Sequence, residues 1–269
     1  MKGSKRIALT IAAAALAGLV AVSLTACGSD SSSESTTKTY TVATEPTYPP
    51  FESTNDDGEI VGFDVDLMKA IAKDQGFKVK FKNEEFDSLI PSLKSGDSDI
   101  VIACMQINDE RKKQVDFSDP YYSSGTYLLV KKDNNEITNW SSFKKGSSYS
   151  IAAQSGTTCQ DICEKLKKQG KVKKVVLLNQ FTTCVEQLDT GVVDAVVVDK
   201  PIGDEFVNKY PDKFKLTGDA EPSSDAPCGI AVKKGNSKLL KKINAGLKSV
   251  KKDGTYDKLL KKWNIDSSN

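Results

Sequence analysis

A chain of 269 residues can form one large domain or two small ones, and 38% hydrophobic content supports a real core. It contains no histidine, which excludes Ser-His-Asp and Cys-His nucleophile arrangements, HExxH zinc sites and imidazole acid–base work. The net charge of +2 hides an asymmetry: Lys2, Lys5 and Arg6 open the chain, and beyond residue 26 only 35 bases face 36 acids. So neutral a body is not a nucleic-acid binder on charge grounds.

The three cations are followed by an apolar run from Ile7 to Leu24. It is long enough to raise a membrane span, for which ~18 apolar residues is the usual length. Its alanine-rich character and the ending Leu24-Thr25-Ala26-Cys27-Gly28 argue instead for an export leader, residues 1–26, of bacterial lipobox type. Cleavage would leave Cys27 as a lipidated first residue on the outer face of the cell membrane. A plain signal peptide and an uncleaved anchor are the alternatives. After Cys27 the chain holds no apolar residue up to Lys38, so 27–38 is expected to be a flexible tether.

Short apolar runs and amphipathic stretches then alternate. Tyr40-Thr41-Val42-Ala43 reads as a strand, and Val65, Met68, Ile71 and Ala72 mark one helical face, ended by Gln75-Gly76. Ile100-Val101-Ile102 is a second buried-type strand. Tyr149-Ser150-Ile151-Ala152 starts the plan again. A helix from Thr157-Thr158 turns Ile162 and Leu166 inward and stops at Gly170, and Ala195-Val196-Val197 is the next strand. Near the C-terminus Leu240, Ile243, Leu247 and Val250 follow helical spacing, with Lys241, Lys242, Lys248, Lys251 and Lys252 outside. A solvated outer face accounts for those lysines better than DNA does, given the neutral whole.

The two stretches repeat each other. Phe86, Leu93, Gly96 and Asp99 match Phe181, Leu188, Gly191 and Asp194 at one offset of 95, and Tyr40 to Ala43 matches Tyr149 to Ala152 at 109. Continuous apolar strands of this kind belong to parallel sheets covered on both faces. The expectation is an α/β chain of two similar lobes with a ligand cleft between the carboxyl ends of their sheets. Residues 39–122 and 228–266 would form the first lobe and 123–227 the second. The chain would leave near Tyr121-Tyr122 and return near Cys228-Gly229, and the two crossings would make a hinge.

Several segments carry a family resemblance. They are Thr47-Tyr48-Pro49-Pro50-Phe51, Gly62-Phe63-Asp64-Val65-Asp66-Leu67, Leu89-Ile90-Pro91-Ser92-Leu93, Glu110-Arg111-Lys112-Lys113 and Asp116-Phe117-Ser118-Asp119-Pro120-Tyr121-Tyr122. Ser155-Gly156-Thr157-Thr158, Asp194 to Asp199 and Asp253-Gly254-Thr255-Tyr256 continue the series. From Thr39 to Ile265 the chain resembles the family 3 extracellular solute-binding proteins, the amino-acid receptors of ABC importers. The resemblance implies a two-lobed, type II periplasmic-binding-protein fold. It also implies a small amino acid and the permease subunits as partners, a monomeric receptor, no cofactor, no metal and no catalysis.

Residue by residue, the resemblance assigns Arg111 to the ligand carboxylate, which a planar guanidinium grips in bidentate fashion. Gly156, Thr157 and Thr158 would meet the same carboxylate at a helix start, and Asp199 would take the α-ammonium. Tyr48 and Phe86 match the rings that enclose the ligand side chain, with Phe86 expected to be the more buried. Glu45 stands near the side chain's tip, and Gln154, its repeat equivalent, faces the same space. The usual Gly-Met-Thr-Ile-Thr-like loop reads Cys104-Met105-Gln106-Ile107-Asn108 here; Ala103, Cys104, Gln106 and Cys159 fall at cleft positions. The stretch Ala43 to Ser53 is similar to that of arginine-binding members, and Glu45 points to a basic ligand, arginine first. Gln106 and Gln154 suit glutamine, the second choice. A cyclohexadienyl-dehydratase-like enzyme on the same scaffold is a third and weaker reading, because Glu45 is the one unusual cleft carboxylate.

Beyond Cys27, five cysteines remain (Cys104, Cys159, Cys163, Cys184 and Cys228), an odd number that leaves at least one thiol unpaired and the pairing open. Without histidine, the Cys159-x3-Cys163 spacing is a poor zinc site.

Overall fold

The computed structural model describes residues 37–221 and 227–266. The leader, Cys27 and nearly all of the tether lie outside the described residues. Among those described, no helix is long and apolar enough to cross a membrane.

In the first part of the chain, β1 (Thr39–Thr44) leads into three short strands, β2 (Thr47–Tyr48), β3 (Glu52–Thr54) and β4 (Ile60–Val61). Then come α1 (Phe63–Asp74), β5 (Lys78–Asn83), α2 (Leu89–Ser95), β6 (Ile100–Val101), α3 (Asp109–Gln114) and β7 (Val115–Phe117). The second part runs β8 (Thr126–Lys131), β9 (Ser150–Gln154), α4 (Thr158–Lys168), β10 (Lys174–Leu178), α5 (Phe181–Asp189), β11 (Ala195–Asp199), α6 (Lys200–Lys209) and β12 (Phe214–Thr217). The chain ends with β13 (Ala231–Lys233), α7 (Ser237–Lys252) and α8 (Thr255–Lys262).

Two five-stranded sheets result, ordered β5-β1-β6-β13-β7 and β10-β9-β11-β8-β12, with β2-β3-β4 as a separate small sheet. In each large sheet the first three strands are parallel and the last two join antiparallel. The repeat read in the sequence persists down to register. Val42 pairs with Ile100 and Ala43 with Val101, while their equivalents Ile151 and Ala152 pair with Ala195 and Val196. The repeated aspartates do the same job in both halves: Asp99 accepts the Thr41 N–H at 2.9 Å and Asp194 accepts the Ser150 N–H at 2.7 Å. Each carboxylate, standing just before the central strand, thus holds the N-terminal part of the parallel strand beside it.

The helices follow their patterns. In α1, Val65, Met68, Ile71 and Ala72 are all buried, and Gly76 takes the positive φ that ends the helix. In α7 the core face is Leu239, Ile243, Leu247 and Val250; Leu240, expected inward, is only half-buried, and Leu239 takes its place. The reason is Gly246, whose missing side chain lets α7 settle on α1. A Cβ there would lie 2.8 Å from the Ile71 side chain, so the contact line passes through Gly246, Leu239 and Ile243.

Behind the first sheet, Asp64 in the opening turn of α1 is wholly buried and accepts both the Cys104 N–H and the Tyr121 hydroxyl at 2.7 Å. Glu52 is equally buried, and its Oε2 and Asp64 Oδ1 have no hydrogen-bond partner among the described residues. Desolvation raises both carboxyls, Asp64 to about 7 and Glu52 well above the carboxylate range. Between the unfolded value of ~4 and about 7 the native state therefore binds more protons than the unfolded chain, so stability falls as pH rises through that window. The unfolding free energy from urea titration is expected to drop from pH 5 to pH 8 by on the order of 1–3 kcal/mol, and Asp64→Asn should flatten that slope. An equally steep slope in the variant would remove Asp64 as its source.

Candidate functional site

The two large sheets present the carboxyl ends of β1, β6, β9 and β11 to a common cleft, as open α/β sheets do at a ligand site. Glu45 follows β1 and Gln154 ends β9, and these repeat equivalents meet: Gln154 Nε2 donates to Glu45 Oε2 at 2.8 Å. Thr47 Oγ1 donates to the other carboxylate oxygen at 2.7 Å. Glu45 is only 3% exposed. Burial pushes its carboxyl above the usual range, and the bonds from Thr47 and Gln154 oppose that rise. None of the ion pairs among the described residues involves Glu45.

Arg111 lies in α3, a helix capped by Asn108, whose side chain accepts the Arg111 N–H at 2.8 Å. Its guanidinium is buried beside the Phe86 ring, 5.3 Å from the centroid. Nη1 donates to the Gln106 carbonyl at 2.7 Å and Nη2 to the Gly156 carbonyl at 2.9 Å. Burial lowers its pKa and the Asp161 carboxylate opposes the change; an arginine so placed stays a cation. Gly156 takes φ 76 and passes so close to Asp87 that a Cβ would sit 2.9 Å from the aspartate's own. Only glycine allows the backbone both that turn and that approach. Thr157 caps α4 and donates to the Gln154 carbonyl at 2.7 Å, while the Thr158 hydroxyl donates to Gln106 Oε1.

Asp199 ends β11 and is 6% exposed. It accepts the Tyr48 hydroxyl at 2.7 Å, the Thr126 hydroxyl at 2.9 Å and, more distantly, the Gln106 amide at 3.5 Å. Burial raises its carboxyl, and the Tyr48 and Thr126 bonds work against that. The Tyr48 phenol is itself pushed well up by burial and by the Asp199 charge, so it remains a neutral donor.

Tyr48, Phe86, Ala103, Cys104, Gln106, Arg111, Gln154, Thr157, Thr158, Cys159 and Asp199 all line one space. Two expected residues stand one bond behind it. Glu45 is screened by the Gln154 amide that binds it, and Gly156 reaches in only through the carbonyl held by Arg111. Tyr48 and Phe86 are both half-buried, so Phe86 is not distinguished from Tyr48 in that respect. Two lining residues escaped the sequence reading, Phe181 and Val197. Phe181 stands edge-on to Tyr48, centroids 5.4 Å apart. Its signal was present, since it is the repeat equivalent of Phe86.

Chemically the space offers one desolvated cation and one desolvated anion from different parts of the chain, with aromatic rings beside them. That suits a zwitterion. The Cys104 and Cys159 thiols are pushed well above their ordinary range by burial, which disfavours the nucleophilic thiolate. Among the described residues no cluster of metal-ligating side chains is found.

The chain and its fold have counterparts among known proteins. The ABC transporter glutamine-binding protein of Bacillus subtilis is 42% identical over 213 residues, 77% of this chain and 73% of its own. An ancestral arginine-binding protein bound to arginine superposes with a TM-score of 0.78 at 46% identity, over 84% of this chain and 97% of that one. A structure of an ancestral arginine-binding protein bound to glutamine gives 0.76 at 46% identity, with the same coverage. The fold is the two-lobed type II fold of those amino-acid-binding proteins. The family model of the bacterial extracellular solute-binding proteins, family 3, matches residues 40–266, and the chain belongs to that family.

Proposed function

We propose that this protein is a non-enzymatic, lipid-anchored receptor that closes on a polar amino acid, arginine first, and delivers it to the permease of an ABC importer. Arg111 takes the ligand carboxylate with help from the start of α4, and Asp199 takes the α-ammonium. Tyr48, Phe86 and Phe181 flank the side chain. The observation that carries the choice of arginine is Glu45, a carboxylate 3% exposed whose partners are a hydroxyl and an amide rather than a cation. A buried carboxylate is costly without a counter-charge. A guanidinium displacing the Gln154 amide would supply it. Glutamine is the second reading, favoured by that same amide bond: a ligand amide in place of Gln154 would repeat it without any charge. The relatives include binders of both amino acids.

Calorimetry with arginine, lysine, histidine and glutamine decides between them. Arginine is expected to bind most tightly, and Glu45→Gln to weaken it by about 1.5–3 kcal/mol, the range for a charged hydrogen bond, while sparing glutamine. Arg111→Ala should cost every ligand about 2–5 kcal/mol. Tight glutamine binding with no basic ligand bound would transfer the site to the second reading.

The lobes, 39–122 with 228–266 and 123–227, would close as a hinge, because Arg111 belongs to the first and Asp199 to the second. Small-angle scattering should show a smaller radius of gyration at saturating ligand; identical curves would count against closure. Cys27 would carry the lipid. Intact-mass measurement of the membrane-bound protein should find a diacylglyceryl adduct on Cys27, and a cleaved product with that cysteine unmodified would contradict the anchor.

A further inference from the structure

We propose that Cys104 and Cys228 are joined as a disulfide in the mature protein, tying the cleft-lining loop after β6 to the strand that returns to the first sheet. Their Sγ atoms lie 2.7 Å apart, and Cys228 Sγ is also 2.9 Å from the Cys104 carbonyl. That is inside the ~3.5–4.0 Å of ordinary non-bonded carbon contact, although sulfur is the larger atom.

The backbone brings them together by register, not by a chance meeting of side chains. Gly229 N–H donates to the Met105 carbonyl at 3.0 Å and Ile107 N–H to the Pro227 carbonyl at 2.8 Å. Cys228 also pairs with the outgoing crossing: its N–H donates to Tyr122 and its carbonyl accepts from Tyr121. Cys104 itself adopts φ 38, a left-handed conformation that L-residues other than glycine, asparagine and aspartate rarely take. Its N–H is held there by Asp64. The other thiols are differently engaged, Cys163 directed at the Ala152 carbonyl and Cys184 at the Gln180 carbonyl.

The chemistry balances as thiol–disulfide exchange with a low-molecular-weight disulfide, the oxidant class this proposal requires. The Cys104 thiolate attacks that disulfide and releases one thiol. The Cys228 thiolate then attacks the mixed disulfide, forming the Cys104–Cys228 bond and releasing the second. Two cysteine hydrogens end on the two thiols released. Members of an extracellular family work where such bonds persist. Burial raises both thiols once the chain has folded, so exchange belongs to folding, before the loop packs, and the finished bond is shielded afterwards.

The test uses the full chain. It is unfolded with reductant, refolded with oxidised glutathione, alkylated in denaturant and digested without reduction, alongside protein alkylated at harvest from the membrane fraction. The expected result in both is one linked peptide pair joining Cys104 to Cys228, lighter by two hydrogens than the free dithiol pair, with Cys159, Cys163 and Cys184 alkylated. Alkylation of both Cys104 and Cys228 in either sample would overturn the proposal. So would a link from either of them to another cysteine.

Discussion

The cleft depends on two opposite charges, Arg111 and Asp199, that are almost withdrawn from water. Each is at least nine-tenths buried, the first delivered by α3 in the first part of the chain and the second by the end of β11 in the second part. Neither side chain could stay charged there unaided. The guanidinium is met by two carbonyls, Gln106 and Gly156, and the carboxylate by two hydroxyls, Tyr48 and Thr126. Dipoles of this kind support a charge without neutralising it, so each group stays able to take a true counter-ion.

The scaffold that holds these groups is nearly symmetric, whereas the pocket is not. Asp99 and Asp194 pin equivalent strands through equivalent bonds, and the strand registers superpose. At the strand ends the equivalents diverge: Glu45 against Gln154, and Cys104 against Asp199. A duplicated frame thus places different chemistry at matching points on the two rims, which a zwitterion with unlike ends requires. Only the aromatic position is kept, as Phe86 and Phe181.

Much of this was legible in the residues because strand repetition leaves a trace that survives divergence. The offsets of 95 and 109 implied two sheets of like order before any contact was known. The match of motifs located eleven of the lining residues. What stayed hidden depends on packing. Leu239 displaces Leu240 from the core because Gly246 sets the line along which α7 meets α1. Glu45 stands behind Gln154 because two side chains from different sheets cannot both reach the same point. Phe181 was seen as a repeat but not followed into the cleft. The neighbour of Cys104 could not be found by counting cysteines, since connectivity is not encoded in their number.

The bonds that cross the cleft also explain how it can open. Tyr48 to Asp199, Thr158 to Gln106, Gln154 to Glu45 and Arg111 to Gly156 each join the first part of the chain to the second. Each is worth only about 0.5–1.5 kcal/mol net, or about 1.5–3 where a charge takes part, because water competes for the same groups when the sheets part. The largest apolar cluster runs through residues of both sheets, so under the proposed hinge motion these bonds would yield together with apolar contacts such as Tyr48 against Phe181. Under the proposed function, a ligand carboxylate would replace two neutral carbonyls on Arg111 with a bidentate, charge-assisted pair, and a ligand ammonium would add a charge-assisted bond to Asp199. Closure, as proposed, would then be cheap to reverse when empty and strengthened when filled, because a ligand shifts the equilibrium only by its differential affinity for the two states.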